Sequence, residues 1–388
     1  MSGTDRSRYV AMLIAAALLS IVPAFPQEAR LLEYGVPAAA AMDAARLQEA
    51  VKLFKDAVER DDIRGAVVMV ARHGKIVLHE ALGWKHKGYR LPMEKDTLFR
   101  MASNTKPVIA TAVLMLEQDG KFRVSDAAAK YLMSFDNWRS RTITIAHLLS
   151  HTSGFRIPVI FYPFDAKDGQ PPTLRSAVDR FGKEGPEVEP GTSYSYSNPG
   201  FNTLGAIIEI ALGMPLEVFL KTRIYDPLGM ADTLNHEDAA KLDRMATVYR
   251  GRRGGDGRIA WQQGFTPDDP PDFPVIRASG GMISTAMDYA KFLQMYLNGG
   301  CYGQARPLSP ESIRKATTPY ARENETSRYG YGWSISAEGI YSHGGSDGTF
   351  AWADPGRDLF GLVFTQSPGG NNPRTEFQKL VAQACLDK

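Results

Sequence analysis

The strand-like runs of this chain lie at its two ends, and that placement limits the fold more than any other feature. Gly65-Ala-Val-Val-Met-Val-Ala71 and Ile76-Val-Leu-His-Glu-Ala-Leu82 flank a short turn, Arg72-His73-Gly74-Lys75. Two apolar, β-branched runs around a Gly read as a hairpin. The C-terminal part repeats the pattern at Tyr331 to Ser336, Ile340 to Ser342, Thr349 to Ala353 and Leu359 to Thr365, followed by a helix from about Thr375. Between these ends the pattern turns helical. Leu47, Val51, Phe54 and Val58 recur at helical spacing within Met42 to Asp62, a second helix is expected from Ser103 to Asp119, stopped by Gly120, and the middle from about 125 to 300 is helical and loop-rich. Gly185, Pro186, Pro190 and Gly191, and the stretch Gly254 to Pro274, read as long connections. The expected fold class is therefore α/β (α+β), with an antiparallel sheet built from both chain ends, flanked by helices and interrupted by a mostly helical inserted domain. The boundaries implied are 42–102 and 301–388 for the sheet domain, 103–300 for the helical one, and 25–41 for a loose lead-in.

Composition narrows the function. The chain has 388 residues, 44% hydrophobic and 23% charged, and 45 Lys and Arg against 43 Asp and Glu leave a net charge of +2. A chain this balanced has material for a packed core but no concentrated cationic face for nucleic acid. Its two Cys are too few for a disulfide framework or a zinc cluster, so no metal and no cofactor are expected. Cys301 and Cys385 either pair or remain free thiols. At the N-terminus, Arg6 and Arg8 precede the apolar run Tyr9–Val22, with Val22-Pro23-Ala24 at a cleavage-type position. That is the pattern of a signal peptide over 1–24, giving a periplasmic or secreted protein with no stable membrane association after cleavage. The run falls short of the roughly 20 apolar residues of a comfortable span, and an uncleaved anchor is the alternative.

Several short motifs carry chemistry. Ser103-Asn-Thr-Lys106 opens the second helix, where residues three apart share a face and a desolvated Lys amine can take the Ser proton. A second Ser-x-x-Lys, Ser312-Ile-Arg-Lys315, reads as an exposed helix start capped by Ser309 or Ser312. Tyr194-Ser-Tyr196-Ser-Asn198 lies in a polar turn before an apolar helix, where a phenol can relay a proton and an amide can both donate and accept. Its copy Tyr296-Leu-Asn298 precedes Gly299-Gly300 and reads as a helix C-terminus. His343-Gly-Gly-Ser346-Asp-Gly348 stands between two strand-like runs, where a ligand can approach the backbone closely. The Gly-x-Ser-x-Gly within it is no nucleophile elbow, because all seven His precede Ser346 and that elbow needs its His afterwards. His147-Leu-Leu-Ser-His151 has a metal-type spacing but lacks the Glu a metallopeptidase needs, so structural hydrogen bonds are expected for both His.

Five stretches in one order give the chain a family likeness: Phe99-Arg-Met-Ala-Ser103-Asn-Thr-Lys106-Pro, Ile145-Ala-His-Leu-Leu-Ser-His-Thr-Ser-Gly154, Tyr196-Ser-Asn198, Ala278-Ser-Gly-Gly-Met-Ile-Ser-Thr285 and His343-Gly-Gly345. The chain resembles the penicillin-recognising serine hydrolases, in the branch of class C β-lactamases, D-alanyl-D-alanine carboxypeptidases, D-aminopeptidases and family VIII carboxylesterases, over about residues 45 to 386. The resemblance implies a β-lactamase-like fold and an acyl-enzyme on Ser103. Lys106 and Tyr196 would share the proton transfers, and Asn198 would orient the substrate and the Lys106 amine. The backbone N–H groups of Ser103 and Ser346 would hold the oxyanion, and His343, Gly344 and Gly345 would form the third motif. Class C β-lactamases carry Lys-Thr-Gly at that motif. A near-neutral His there argues against efficient β-lactamase action. The expected partner is a small ester or amide, with a carboxylesterase favoured over a D-amino-acid peptidase, a weak β-lactamase or a non-turnover penicillin or peptide sensor. The aromatic and branched segment Phe155 to Phe164 is either an apolar acyl pocket or a packed cover.

Overall fold

The computed structural model describes residues 29–162, 173–267 and 275–387. The expected signal peptide lies outside the described residues. Fourteen strands are present among the described residues. The N-terminal part supplies β1 (Glu33–Tyr34), β2 (Gly65–Arg72), β3 (Lys75–His86) and β4 (Leu91–Pro92). The middle supplies β5 (Phe99–Arg100), β6 (Val248–Arg253), β7 (Ile259–Phe265) and β8 (Ile283–Ser284), which make two separate pairs, β5–β8 and β6–β7. The C-terminal part supplies β9 (Ala321–Arg322), β10 (Ser327–Tyr329), β11 (Ser334–Ser336), β12 (Tyr341–Gly344), β13 (Thr349–Asp354) and β14 (Leu359–Thr365). One sheet runs β1-β3-β2-β14-β13-β12-β11-β10-β9, with β4 on β3. The two ends of the chain meet at β2–β14, an antiparallel ladder in which Val68 faces Val363.

Nine α-helices accompany the strands among the described residues: α1 (Ala44–Glu59), α2 (Thr105–Gln118), α3 (Ile145–Leu149), α4 (Leu174–Glu184), α5 (Asn198–Leu212), α6 (Leu216–Leu220), α7 (Ala286–Leu297), α8 (Pro310–Ala316) and α9 (Arg374–Gln383). The sheet is buried on both faces because its central strands alternate between two cores. Val67, Met69 and Ala71 of β2 enter one core, with Phe360, Leu362 and Phe364 of β14, while Ala66, Val68 and Val70 enter the other, with Phe54 of α1 and Phe377 of α9. A period of two in a strand apolar on both sides requires cover on both sides. Helices α1 and α9 supply one cover and α7 packs against β2 and β14. The Asp43 carboxylate caps α1 by accepting the Ala45 and Arg46 N–H groups at 2.8 and 3.3 Å. The β2–β3 turn is closed by His73 and Gly74, both at positive φ, as a two-residue hairpin of this twist demands.

Two segments depart from the sequence expectation. The described part of the lead-in is bound: Glu33 and Gly35 donate to the carbonyls of Gly74 and Ile76, so β1 extends the sheet in parallel with β3. An unpaired strand edge accepts whatever extended segment passes beside it. Val248–Phe265 is a hairpin, where a long connection from Gly254 was expected; Gly254 to Arg258 form its turn. Its strands are mostly solvent-facing, with Arg residues on β6 and Gln residues on β7, which removes the apolar alternation that betrays a strand. Cys301 and Cys385 are both free thiols.

Candidate active site

The Ser103 turn grows out of β5. A short 3₁₀ turn, Ala102–Asn104, leads into α2, and Ala102 holds a left-handed backbone with φ 45°. A non-glycine residue there costs roughly 1 kcal/mol or more and needs an over-determined setting. Four hydrogen bonds provide it. Thr105 Oγ1 donates to the Ala102 carbonyl at 2.7 Å, and the Met282 N–H donates to Thr105 Oγ1 at 3.0 Å. Thr349 Oγ1 donates to the Met101 carbonyl at 3.0 Å and accepts from Asn104 Nδ2 at 2.9 Å. The last two tie the turn to β13. Gly345 must be glycine for the same reason: a Cβ there would collide with Thr349 Oγ1 and the Met101 carbonyl.

Lys106 is fully buried, with its Nζ 3.1 Å from Ser103 Oγ, 2.8 Å from Asn198 Oδ1 and 2.7 Å from the Ser279 carbonyl. Burial, helped by the Arg277 charge, holds its pKa well below the ordinary lysine value. A neutral amine has two N–H donors and one lone pair. The amide and carbonyl oxygens can only accept and so take both N–H groups, which leaves the lone pair for the Ser103 hydroxyl. Asn198 reaches this place because Ser197 caps α5, its Oγ accepting the Gly200 N–H at 3.1 Å, with Pro199 in the first turn. Tyr196 sits beside Ser103, and its ring lies 4.6 Å from Lys106 Nζ. Desolvation raises the Tyr196 pKa, although the Ser103 hydroxyl opposes the rise. The phenol therefore keeps its proton at neutral pH.

The remaining predicted residues divide into two groups. Ser346 lines a cleft of about 590 Å³ together with Ser103, Asn198, Ser279 and Gly280. The Gly345 N–H donates to Thr349 and the Gly348 N–H to Gly345, so the turn is closed around Ser346. The Ser346 N–H itself has no acceptor among the described residues. His343 is turned into the protein: Tyr329 Oη lies 3.0 Å from its Nε2 and the Gly344 carbonyl 2.9 Å from its Nδ1. Burial pushes its pKa down to about 3. The neutral ring thus donates from Nδ1, accepts at Nε2, and presents no cation on β12. Gly344 continues β12, paired with Phe350.

The competing motifs are placed elsewhere. Ser309 caps α8 by accepting the Ser312 N–H at 3.1 Å, and Lys315 pairs with Glu117 at 2.7 Å. Tyr296 Oη bonds Thr111 Oγ1 at 2.8 Å in the core, and Asn298 ends α7. His147 joins Thr144 in the capping box of α3. Of the described part of the Phe155 segment only Ile160 reaches the cleft; Phe155 and Phe161 pack on Phe135 and Phe181, as a cover would.

His151 has more consequence than its spacing suggested. It is fully buried with φ 58°, its carbonyl accepts the Ser195 N–H at 2.8 Å, and its Nδ1 accepts the Ser197 N–H at 3.0 Å. Its ring lies 4.3 Å from that of Tyr196. Both amides flanking Tyr196 are thus held by one residue. Desolvation by burial holds its pKa well below the ordinary histidine value and keeps it neutral, as an accepting Nδ1 requires. Sequence reasoning gave neither this role nor that of Ser279, whose carbonyl lies inside the quoted Ala278 to Thr285 stretch; the quoted motifs were the only signal.

The chain as a whole has relatives. The sequence profile of the beta-lactamase family matches residues 50–386. The chain belongs to the beta-lactamase family. It is 33% identical over 210 residues to the esterase EstB of Burkholderia gladioli, which covers 50% of this chain and 53% of that protein. It is 26% identical to a putative D-alanyl-D-alanine carboxypeptidase of Escherichia coli O157:H7, over 81% of this chain and 80% of that one. Among solved structures, EstCE1, described as a hydrolase with promiscuous acyltransferase activity, superposes with a TM-score of 0.73 at 20% identity, covering 88% of this chain and 99% of its own. The octameric penicillin-binding protein homologue from Pyrococcus abyssi gives 0.69 at 25%, covering 89% and 77%. The fold is that of this family of serine hydrolases.

Proposed function

We propose that the protein is an exported carboxylesterase that hydrolyses small esters through an acyl-enzyme on Ser103. The observation that carries the chemistry is the pairing of all three Lys106 contacts with the valences of a neutral amine. Ser103 Oγ attacks the ester carbonyl as its proton passes to Lys106 Nζ. The oxyanion is received by the Ser103 and Ser346 N–H groups, a pair whose members are each worth about 3 kcal/mol in comparable sites. Tyr196, protonated and beside Ser103, gives its proton to the leaving alkoxide as the ester C–O bond breaks, and the proton on Lys106 restores the phenol. Water then attacks the acyl-enzyme by the same route reversed, returning the proton to Ser103.

The ester preference is supported by the esterase relative and by the neutral, inward His343, which offers no cation on β12 for a substrate carboxylate. The purified protein, given 4-nitrophenyl hexanoate, a chromogenic cephalosporin and a D-Ala-D-Ala peptide, is expected to turn over the ester fastest. Turnover of the cephalosporin or the peptide alone would refute the esterase reading. Stoichiometric labelling of Ser103 without release would mark a sensor. Export is proposed from Arg6, Arg8 and the apolar run that follows, and N-terminal sequencing of the protein from the producing cell, expected to begin at Phe25, tests it.

A further inference from the structure

One wall of the cleft is the β6–β7 hairpin, and none of the chemical steps uses its charge. Val248 and Arg250 of β6 and Gly264 and Phe265 of β7 line the same cleft as Ser103 and Ser346. The Arg250 side chain lies across Gly264, where a Cβ would come within 3.2 Å of Arg250 Nε; the glycine makes room for it. The nearest acid is Asp347, directly after Ser346. Its carboxylate is 3.7 Å from Arg100 Nε and 3.7 Å from Arg250 Nη2. Arg100 is 11% exposed and stacks on Phe265 at 4.0 Å, whereas Arg250 is 61% exposed. At 3.7 Å the Arg250 contact is an ion pair without a hydrogen bond. Its guanidinium donates to no described residue, so a fork of N–H donors stands unspent at the cleft. Arg252 projects from the same face two residues on, about 7 Å farther out, opposite Ala260 as Arg250 is opposite Gln262. It makes no ion pair with a described residue.

We propose that this hairpin face is an anion subsite, and that the natural substrate is an ester bearing a carboxylate several bonds from the reacting carbonyl. The proposal rests on the Ser103 hydrolase reading and names the substrate class for it. A carboxylate accepts two parallel N–H bonds from a guanidinium, a geometry that Arg250 offers and Asp347 does not complete. With His343 neutral and turned inward, the positive charge that sorts substrates comes from across the cleft. A neutral ester of equal length leaves the Arg250 donors to solvent. Arg252 extends the attraction outward and draws anions toward the cleft.

Two matched ester pairs test this on the full chain: mono-(4-nitrophenyl) adipate against 4-nitrophenyl hexanoate, with the carboxylate on the acyl side, and 3-acetoxybenzoate against phenyl acetate, with it on the leaving group. In at least one pair the anionic ester is expected to have the higher kcat/KM, by about tenfold, the usual scale of a charged hydrogen-bond contact. The anionic-to-neutral ratio should collapse toward one in Arg250→Gln, persist in part in Arg250→Lys, and shrink with added salt. A ratio near one in both pairs, or one that Arg250→Gln leaves unchanged, overturns the subsite. Binding of 3-carboxyphenylboronic acid against phenylboronic acid, which needs no turnover, separates this failure from that of the esterase reading. If esters are not hydrolysed yet the carboxylated boronic acid binds more tightly and loses that advantage in Arg250→Gln, the esterase reading falls and the subsite stands. If esters are hydrolysed without anionic preference and the two boronic acids bind alike, the subsite falls and the esterase stands.

Discussion

Ser103–Lys106 and Ser312–Lys315 have the same spacing at the start of a helix, and they come to opposite ends. Lys106 is sealed beneath Tyr196 and Phe201, bonded to Asn198 and Ser279, and its pKa is depressed by desolvation. Lys315 is partly exposed and spends its charge on Glu117. Spacing brings an amine near a hydroxyl in both places; only burial without a carboxylate makes that amine a base. Lys315 meets a carboxylate, whereas Lys106 is surrounded by neutral oxygen acceptors.

The contrast can be broken by mutation. Ser103→Ala is expected to remove at least about 10⁴-fold of kcat, while Ser312→Ala leaves kcat unchanged; the reverse result in a steady-state ester assay would transfer the active site to α8. Lys106→Met should lower kcat by roughly 10²–10⁴-fold, the range of general-base catalysis. The acid limb of the kcat/KM profile should report Lys106, activity falling as pH drops through its lowered pKa, because protonation removes the lone pair that faces Ser103. A profile unchanged in Lys106→Met would reject that assignment. His151→Ala should lower kcat by about tenfold with little change in KM, since it frees the Ser197 amide beside Tyr196 and strains the left-handed backbone whose carbonyl holds the Ser195 amide, without touching substrate, and His151→Asn should recover part of the loss because Asn tolerates left-handed backbone and retains an acceptor. Equal damage from both variants, or a loss confined to KM, would contradict the positioning role.

Stability provides two gentler tests. His343 and His79 have pKa values lowered to about 3 and about 4, with desolvation the largest cause in each. A depressed His binds its proton in the unfolded chain first, so its contribution is complete above the ordinary value of 6.5 and is lost as pH falls toward the folded value. Each group should remove about 1.4 kcal/mol per pH unit within that window. Thermal unfolding is thus expected to show a melting temperature that declines already between pH 6.5 and 5; a flat profile from pH 6.5 to 5 would contradict burial of these rings. Lys315→Ala, at the other end of the comparison, should cost under about 1 kcal/mol.

The same contrast explains what could be read in advance. The strands β2, β3, β13 and β14 were legible because their apolar runs continue on both faces, a pattern that only a doubly covered sheet produces. Ser103 with Lys106, and Tyr196 with Asn198, were legible as two local pairs through their three-residue and two-residue spacings, and the order of the family motifs selected them over Ser312–Lys315 and Tyr296–Asn298. The β6–β7 hairpin was not: its burial is slight, so the Arg residues of β6 and the Gln residues of β7 carry no alternation to detect. His151 showed only a helical spacing. Its position beside Tyr196 comes from long-range packing and from a left-handed backbone at a residue that is not glycine, and neither is written in local sequence.

The pairing of β2 with β14 has a consequence for how the molecule comes into being. The strand β2 has no partner on that side until β14, far along the chain, has left the ribosome, and the Ser346 amide arrives with the same late segment. Closing so long a loop makes folding slow and nearly all-or-none. Catalytic competence is therefore a certificate of completion: a polypeptide released before β14 carries Ser103 and Lys106 but lacks the closed sheet that aligns them.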